Sequence, residues 1–487
     1  MSMAQGPVTA ATRQDLRIER VLRFLTDHGV TRQVLMDLGL VVEMTIVAAA
    51  AVIAKILYLE FYLREPGNPV WTYLGAGIIG AVLSAAAMRW QRLYDYEYFR
   101  TRAGNARRLL VALLAAFLVL GAIGYLVKVS ADYSRGWALT WFSVAFALLL
   151  LERKIAVSLF GRLLEYGVFK RRLALVGSGD RLADLMSRAR NAPGIAIAGI
   201  YHFSMDGAGR WKEEGLAALI DRARRERIDE VVIALPLSAE DGIVTAVNRL
   251  AQLPVHISVY GGDFAGMHFP RGLRQLGNMK LLVLQSRPLD DWGRIAKSAF
   301  DRCGSAVLLL MLAPIFALIA LAIRCDSPGP VFFCQRRHGL NHRIINVWKF
   351  RTMRVAEDGP EIAQATRNDP RVTRIGSFLR RTSLDELPQL WNVLRGEMSL
   401  VGPRPHALVH NEYYGAMIEA YANRHKVKPG MTGWAQVNGY RGNTEDPELM
   451  RKRVEYDLEY IERWSLLLDL EVLAKTVIRG FVNARAY

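Results

Sequence analysis

Hydrophobic residues gather first into four runs, at about 35–59, 71–88, 109–127 and 137–152, each near the length that crosses a hydrocarbon layer. Asp37, Glu43 and Lys55 interrupt the first run. They fit either at its ends or on a face turned into a helical bundle, where ionisable groups are tolerated. From Lys170 the pattern changes to short apolar strands alternating with helical stretches. RRLALVGSGD (171–180), IAIAGIYHF (195–203), EVVIAL (230–235) and VHISVYG (255–261) read as strands, and GLAALIDRARRE (215–226) as a helix. That alternation predicts a parallel α/β sheet.

A fifth apolar run, CGSAVLLLMLAPIFALIALAI (303–323), carries Pro314 near its middle. A straight helix of that length reaches about 31 Å and can span a bilayer. Both flanks are cationic, with Arg294, Lys297 and Arg302 before and Arg324, Arg336 and Arg337 after. Two basic flanks favour the same anionic surface. Proline removes an N–H and clashes with the preceding turn, which predicts a break or sharp kink near Ala313–Pro314. The run therefore reads as re-entrant, entering and leaving on one side.

Charge sets that side. Arg17, Arg20, Arg23 and Arg32 precede the first run; Arg89, Arg92, Arg100, Arg102, Arg107 and Arg108 lie between the second and third; Arg153, Lys154, Lys170, Arg171 and Arg172 follow the fourth. The other connections hold only Arg64, Lys128 and Arg135. By the positive-inside rule the N-terminus and everything just after residue 153 are cytoplasmic. The arginines at 13, 17, 20 and 23 precede an apolar stretch that begins only near residue 34, unlike a cleaved signal peptide.

At 487 residues the chain has room for about three domains, and 52% apolar with 22% charged residues fits apolar segments mixed with soluble ones. The formal charge of +17 suits phosphorylated ligands and lipid headgroups. No zinc-finger spacing or RNA-binding signature accompanies it, so no nucleic-acid partner is expected. Cys303, Cys325 and Cys334 show no pairing pattern and read as free thiols in a reducing compartment.

The middle segment carries a glycine turn, Gly177-Ser-Gly179, of the kind that approaches a pyrophosphate. The third glycine is missing, since Asp180, Arg181 and Leu182 follow, and no acidic partner lies about 20 residues on. A tight strand-to-helix turn without ligand is the plainer reading. The segment then serves regulation or assembly.

The last third holds the chemistry. SPGPVFFCQRRHGLNHRIINVWKFRTMR (327–354) is basic and strand-like, and Arg336, Arg337, Lys349 and Arg351 are candidates for phosphate contact. Arg337 or Arg354 taken singly reads as part of a solvated face. In RIGSFLRRTSLDELPQLWNVLRGEMSLVGPRP (374–405), Leu387, Leu390, Trp391 and Leu394 recur at helical spacing, with Pro388 suited to helix position N1. Asp385 and Glu386 then sit at the positive end of a helix. An ionised Asp385 can attack phosphorus, and Glu386 can bind a divalent ion. Arg380, Arg381 and Arg404 can clamp phosphate oxygens. Ser383–Glu386 equally fits a helix capping box, and the residues alone leave both readings open.

His406 and His410 lack a carboxylate that would complete a zinc signature and read as structural or peripheral. VKPGMTGWAQVNGYRG (427–442) can form a loop around a ring or sugar. A single long helix is expected from about Asp446 to Arg479, and its LLLDLEVLAKTVI stretch (466–478) suits a membrane interface or the core equally.

SPGPVFF, KFRTM, RTSLDELPQLWNVLRGEMSLVGPRP and KPGMTGWAQVNG together resemble the bacterial sugar transferases, the large polyprenyl-phosphate hexose-1-phosphate transferases. The resemblance covers roughly 290–487 with high motif specificity, and the earlier regions with less. It implies a multi-domain membrane protein. Its parts are a cytoplasmic segment (1–33), a four-helix transmembrane region (34–155), a Rossmann-like α/β domain (168–285), and an α/β catalytic domain (290–487) with the re-entrant helix and amphipathic helices.

The resemblance also implies transfer of hexose-1-phosphate from a UDP-sugar to undecaprenyl phosphate, releasing UMP, as the first membrane step of exopolysaccharide or O-antigen synthesis. Asp385 is the implied nucleophile of a covalent phosphosugar intermediate, and Glu386 the implied ligand of Mg2+. Arg380 and Arg404 match arginines near the phosphates; Pro403 and Pro405 complete a Pro-Arg-Pro motif; Pro429 and Gly430 belong to the glycine-rich motif; Pro314 matches the hairpin break. Cys334 and His338 depart from the family pattern without touching the acidic pair. The expected setting is the bacterial inner membrane with the catalytic part on the cytoplasmic face, membrane lipids as partners and a homodimer as the assembly. Glucose is the first choice of sugar and galactose the second. An inactive scaffold organising glycan assembly is the non-enzyme alternative, and a sugar dehydratase centred on 173–180 lacks the tyrosine/lysine spacing it needs.

Overall fold

The structure is a computed structural model that describes residues 31–65, 67–94, 102–129, 132–165, 170–192, 194–206, 209–261, 272–276, 279–289, 291–354, 369–406, 408–418, 420–440 and 447–480. The N-terminal arginines up to Arg23, Arg100, and residues 441–446 at the end of the glycine-rich loop lie outside them. The chain forms two compact units, Met1–Lys170 and Arg171–Tyr487.

In the first unit each expected apolar run lies on a helix: α1 (Arg32–Ala54, continued as a π-helix to Tyr62), α2 (Val70–Trp90), α3 (Arg102–Leu126) and α4 (Arg135–Glu165). Small residues set the spacing. A Cβ on Gly77 would come within 2.9 Å of the Ala48 carbonyl, so glycine lets α1 and α2 approach closely. Trp137 and Trp141 on α4 donate their indole N–H groups to the Ala51 and Val47 carbonyls of α1, both at 2.9 Å. Glu43 is only 3% exposed and accepts from Arg153 at 2.7 Å and from Tyr94, while Lys55 pairs with Glu60. Two of the three charges in the first run thus face the bundle. Asp37 lies 3.7 Å from Arg89 in a more open position.

The second unit begins with a six-stranded sheet in the order β2-β1-β3-β4-β6-β5: β1 (Arg171–Gly177), β2 (Ile195–His202), β3 (Glu230–Ala234), β4 (His256–Tyr260), β5 (Leu273–Leu276) and β6 (Met279–Gln285). The first four are parallel, as the alternation predicts, and helices α5 (Gly179–Asn191), α6 (Glu214–Arg225) and α7 (Glu240–Leu250) connect them. β5 and β6 form an antiparallel edge that the sequence reading does not contain. Buried on both faces, β1 and β3 show unbroken apolar runs in place of alternation. Gly177 has φ +152°, and a Cβ there would lie 2.5 Å from the Ala234 carbonyl. Close approach of β3 alone accounts for this glycine.

The remainder is built on α8 (Asp291–Asp326), the hairpin β7 (Phe332–His338) and β8 (Ile344–Phe350), α9 (Arg374–Thr382), α10 (Gln389–Arg395), β9 (Ser399–Val401), α11 (Leu408–Met417), β10 (Gly430–Thr432), α12 (Pro447–Glu462) and α13 (Leu466–Gly480). Of the break or sharp kink expected near Ala313–Pro314, the break is absent, for α8 stays helical through Pro314. Lys297, read as an anionic-surface flank, is instead buried; its ammonium donates to Asp469 at 2.7 Å, the Val401 carbonyl at 3.0 Å and Asp301 at 3.3 Å. At the other end of α8, Asp326 accepts the Ile375 N–H at 3.1 Å, and Ile319 and Ile323 join Phe350 and Leu379 in an apolar cluster. Between these anchors Leu310, Met311, Leu318 and Leu321 stand exposed, Leu310 by 79%.

The single C-terminal helix expected from Asp446 to Arg479 is two. Ser465 restarts the chain: its Oγ accepts the Leu468 N–H at 3.1 Å and its carbonyl accepts the Asp469 N–H. α13 buries Val472 and Asp469 while exposing Leu467, Leu470, Val477 and Ile478, so it combines a core face with an apolar outer face.

Candidate active site

Two helix ends and one strand converge on Asp385 and Glu386. Thr373 caps α9 by accepting the Gly376 N–H at 2.9 Å. A Cβ on Gly376 would lie 2.0 Å from the Thr352 carbonyl, so only glycine lets α9 press against the chain leaving β8. That approach lets Arg380 donate from Nε to Thr352 Oγ1 at 2.9 Å. Ser383 then ends α9 in a left-handed conformation, φ 57°, and Leu384–Glu386 form a single 3-10 turn. Pro388 follows as the residue before α10, one position earlier than the expected N1. Gly396, φ 79°, closes that helix.

This geometry removes the capping-box reading. Glu386 does not turn back to Ser383; it accepts from Lys349 of β8 at 2.8 Å and, on both oxygens, from Arg404 at 2.5 and 2.9 Å. Burial raises the Glu386 carboxyl, but Arg404 and then Lys349 outweigh it and hold the group well below the usual carboxylate range. Asp385 is 9% exposed and has no hydrogen-bond partner among the described residues. Burial, and next the charge of Glu386, push its carboxyl up against the opposing pull of Lys349, Arg404 and Arg380. One carboxylate is therefore clamped and the other left open to react.

The Pro-Arg-Pro and glycine-rich motifs meet across the parallel pair β9–β10. Gly430 donates its N–H to the Pro403 carbonyl at 2.9 Å, and Ser399 donates to the Pro429 carbonyl at 2.9 Å. A Cβ on Gly430 would stand 2.1 Å from the Gly402 nitrogen, which no side chain permits. Pro405 offers its carbonyl to Arg337. Arg337 is thus turned inward rather than onto the solvated face expected of it, while Arg336 and Arg354 are exposed.

Arg351 is not brought to the acidic pair. Its guanidinium donates to the carbonyls of Ser327, at 2.7 Å, and Pro328, and so holds the turn that leaves α8. Pro314 lies on α8 in the exposed apolar stretch, away from the carboxylates in sequence and in hydrogen bonding. His406 is buried, its Nδ1 2.6 Å from the Tyr421 hydroxyl; the side chain of His410 lies outside the described residues. The three cysteines are free and exposed.

Sequence reasoning missed a buried polar layer behind the site. Arg424 donates to Asp457 at 2.8 Å, to the Arg404 carbonyl at 2.9 Å and to His406. Tyr460 donates to Asp469 at 2.7 Å. Arg424 and Asp457 are 33 residues apart, and Lys297 and Asp469 172 apart, so no local spacing reveals either pair.

Among the described residues no group of three or more His, Cys, Asp or Glu side chains could hold a metal ion. The acidic pair still fits Mg2+, which needs only one or two carboxylates when phosphate oxygens and water complete its shell. Asp385 lacks a protein partner, and the three donors on Glu386 leave part of its lone-pair capacity open.

An open carboxylate beside a clamped one, ringed by Lys349, Arg380 and Arg404, defines a centre suited to phosphate chemistry. Residues 292–483 match the family model described as bacterial sugar transferase, and residues 91–260 match one described as a CoA-binding domain. The chain is 42% identical over 353 residues to the UDP-glucose:undecaprenyl-phosphate glucose-1-phosphate transferase of Escherichia coli (strain K12), covering 72% of this chain and 76% of that one. It is 38% identical over 382 residues to the transferase of the same name from Xanthomonas campestris pv. campestris, covering 76% and 79%. A third of that name, from Caulobacter vibrioides, is 50% identical over 209 residues, covering 42% and 78%. The chain belongs to the bacterial sugar transferase family.

Proposed function

We propose that this protein transfers glucose-1-phosphate from UDP-glucose to undecaprenyl phosphate and releases UMP. The observation that carries the reading is the unpartnered Asp385 beside Glu386, which Arg404 and Lys349 hold ionised. In the first step an Asp385 oxygen attacks the β-phosphorus, the bridging P–O bond to the α-phosphate breaks, and UMP leaves with that bridging oxygen. In the second, an oxygen of undecaprenyl phosphate attacks the same phosphorus; the bond to Asp385 breaks and the carboxylate is restored. Arg404 and Arg380 stabilise charge on the phosphoryl oxygens, and Glu386 keeps Arg404 and Lys349 aimed at them. Glu386 is the residue that would hold Mg2+, which would supply further neutralisation of that charge.

The same reading assigns residues 34–155 to a four-helix transmembrane region, 168–285 to a Rossmann-like module of regulation or assembly, and 290–487 to catalysis at the cytoplasmic face of a bacterial inner membrane. Re-entry of α8 is supported by its attachments: Asp301 accepts the Leu400 N–H and Asp326 the Ile375 N–H, so both ends belong to one catalytic fold.

The test is a labelled adduct. Protein incubated with UDP-glucose carrying label in its β-phosphate should retain the label, and Asp385→Asn should retain none. Label surviving in Asp385→Asn would refute the nucleophile.

A further inference from the structure

Behind Arg404 the described residues hold more buried positive charge than their carboxylates balance. Arg404 is paired with Glu386, and Arg424 with Asp457. Arg337 and Arg453 have no carboxylate in salt-bridge reach among the described residues. Arg453, on α12, is 3% exposed, and its Nε and Nη2 hydrogens have no acceptor among the described residues. Those two atoms form one edge of the guanidinium, the fork that grips two oxygens of a phosphate or carboxylate. Such a charge left bare in the interior is costly, and proteins retain one where a ligand supplies the counter-charge.

A second unused donor belongs to His406, whose imidazole feels the charge of Arg453. Arg424 can only donate, so its bond to His406 Nδ1 makes that nitrogen an acceptor and leaves the ring proton on Nε2. His406 Nε2 is buried and has no partner among the described residues. Burial, and then Arg424, Arg453, Arg337 and Arg404 in turn, hold this imidazole well below its ordinary range, so it remains a neutral donor among cations. Burial and Arg424 likewise bring Arg453 down to about 9. The unused groups are therefore three donor nitrogens and surplus positive charge. Water could meet the donors but not the charge.

We infer that Arg453, with His406 Nε2, forms a second anion subsite behind Arg404 that takes a phosphate monoester. This rests on the proposed reaction, which involves two such groups: the UMP that leaves and the lipid phosphate that arrives. Arg453 is here a binding residue and takes no part in bond making.

The test uses full-length protein in lipid nanodiscs and reads binding and melting, not turnover. Arg453→Met fills the same space without charge. It should melt higher than the wild type without ligand, and its affinity for the occupant should fall at least about tenfold, the loss expected for a bidentate charged bond. Arg453→Lys, which keeps the charge but not the fork, should fall between them. UMP titrated against undecaprenyl-phosphate-free discs forms one arm, and discs with and without undecaprenyl phosphate the other; the arm that loses affinity names the source. An Arg453→Met protein that melts lower or fails to fold, or that binds both as the wild type does, overturns the subsite. If labelled UDP-glucose still forms its adduct in that case, the proposed reaction stands without it. If no adduct forms while Arg453→Met loses UMP, the reaction fails and the subsite survives.

Discussion

Arg404 grips Glu386 with two parallel bonds, Nη1 to Oε2 at 2.9 Å and Nη2 to Oε1 at 2.5 Å. A lysine can supply the charge but not the pair of bonds. Arg404→Lys should therefore lower the rate of adduct formation from UDP-glucose by about ten- to a hundredfold, the range for a lost charged bond of 1.5–3 kcal/mol. Rapid-quench measurement of labelled protein gives that rate, and an unchanged rate would remove Arg404 from the phosphates.

Glu386→Gln keeps an acceptor but loses the charge that draws a cation. The magnesium concentration giving half-maximal adduct formation should shift upward severalfold. A superimposable titration would deny Glu386 any share in metal binding.

Cys303 and Cys325 bracket the apolar stretch of α8 and are both exposed. Each can be kept singly, with the other two cysteines changed to serine, and treated in sealed inner-membrane vesicles of known orientation with an impermeant maleimide. Re-entry requires both to react from the same side. Reaction from opposite sides would make α8 a spanning helix and put the carboxylates in the wrong compartment.

Lys297 neutralises Asp469 and Asp301 in a buried site. Lys297→Met leaves both carboxylates uncompensated and should cost about 3–5 kcal/mol of stability. Adding Asp469→Leu should return part of that loss, which melting of the single and double variants in detergent would reveal. Equal melting of Lys297→Met and wild type would show the pair to be unimportant.

Acid should weaken the catalytic part. Burial, with neighbouring cations, holds His406 and His425 well below the ordinary histidine value of 6.5 and His342 at about 4. Below about pH 6.5 the unfolded chain takes up these protons first, so stability falls as pH falls, by up to about 1.4 kcal/mol per pH unit for each group. The melting temperature should drop between pH 7 and pH 5, and His425→Gln should flatten the drop. A level wild-type curve over that interval would contradict the assignment.

The elements were readable where chemistry is local. Apolar runs of bilayer length mark α1 to α4, and the buried runs of β1 and β3 mark a parallel sheet. Asp385, Glu386 and Arg404 stood within twenty residues of one another, so their motif carried the site. What escaped depends on distant pairing. Nothing near Arg351 in the chain foretells its use on the Ser327 and Pro328 carbonyls, and Lys297 looks like any basic flank until Asp469 arrives 172 residues later. Pro314 misled because a proline removes one N–H without ending a helix whose other bonds persist. The capping-box alternative at Ser383 fell to a backbone angle, φ 57°, that side-chain spacing does not encode.

The two attachments of α8 have a mechanical meaning. With Asp301 fastened near one end and Asp326 at the other, its oily middle works as a keel rather than a tether. On the proposed reading, the depth at which that keel settles fixes how far an isoprenoid headgroup must rise to meet Asp385, and bilayer thickness and lipid packing become rate-setting variables.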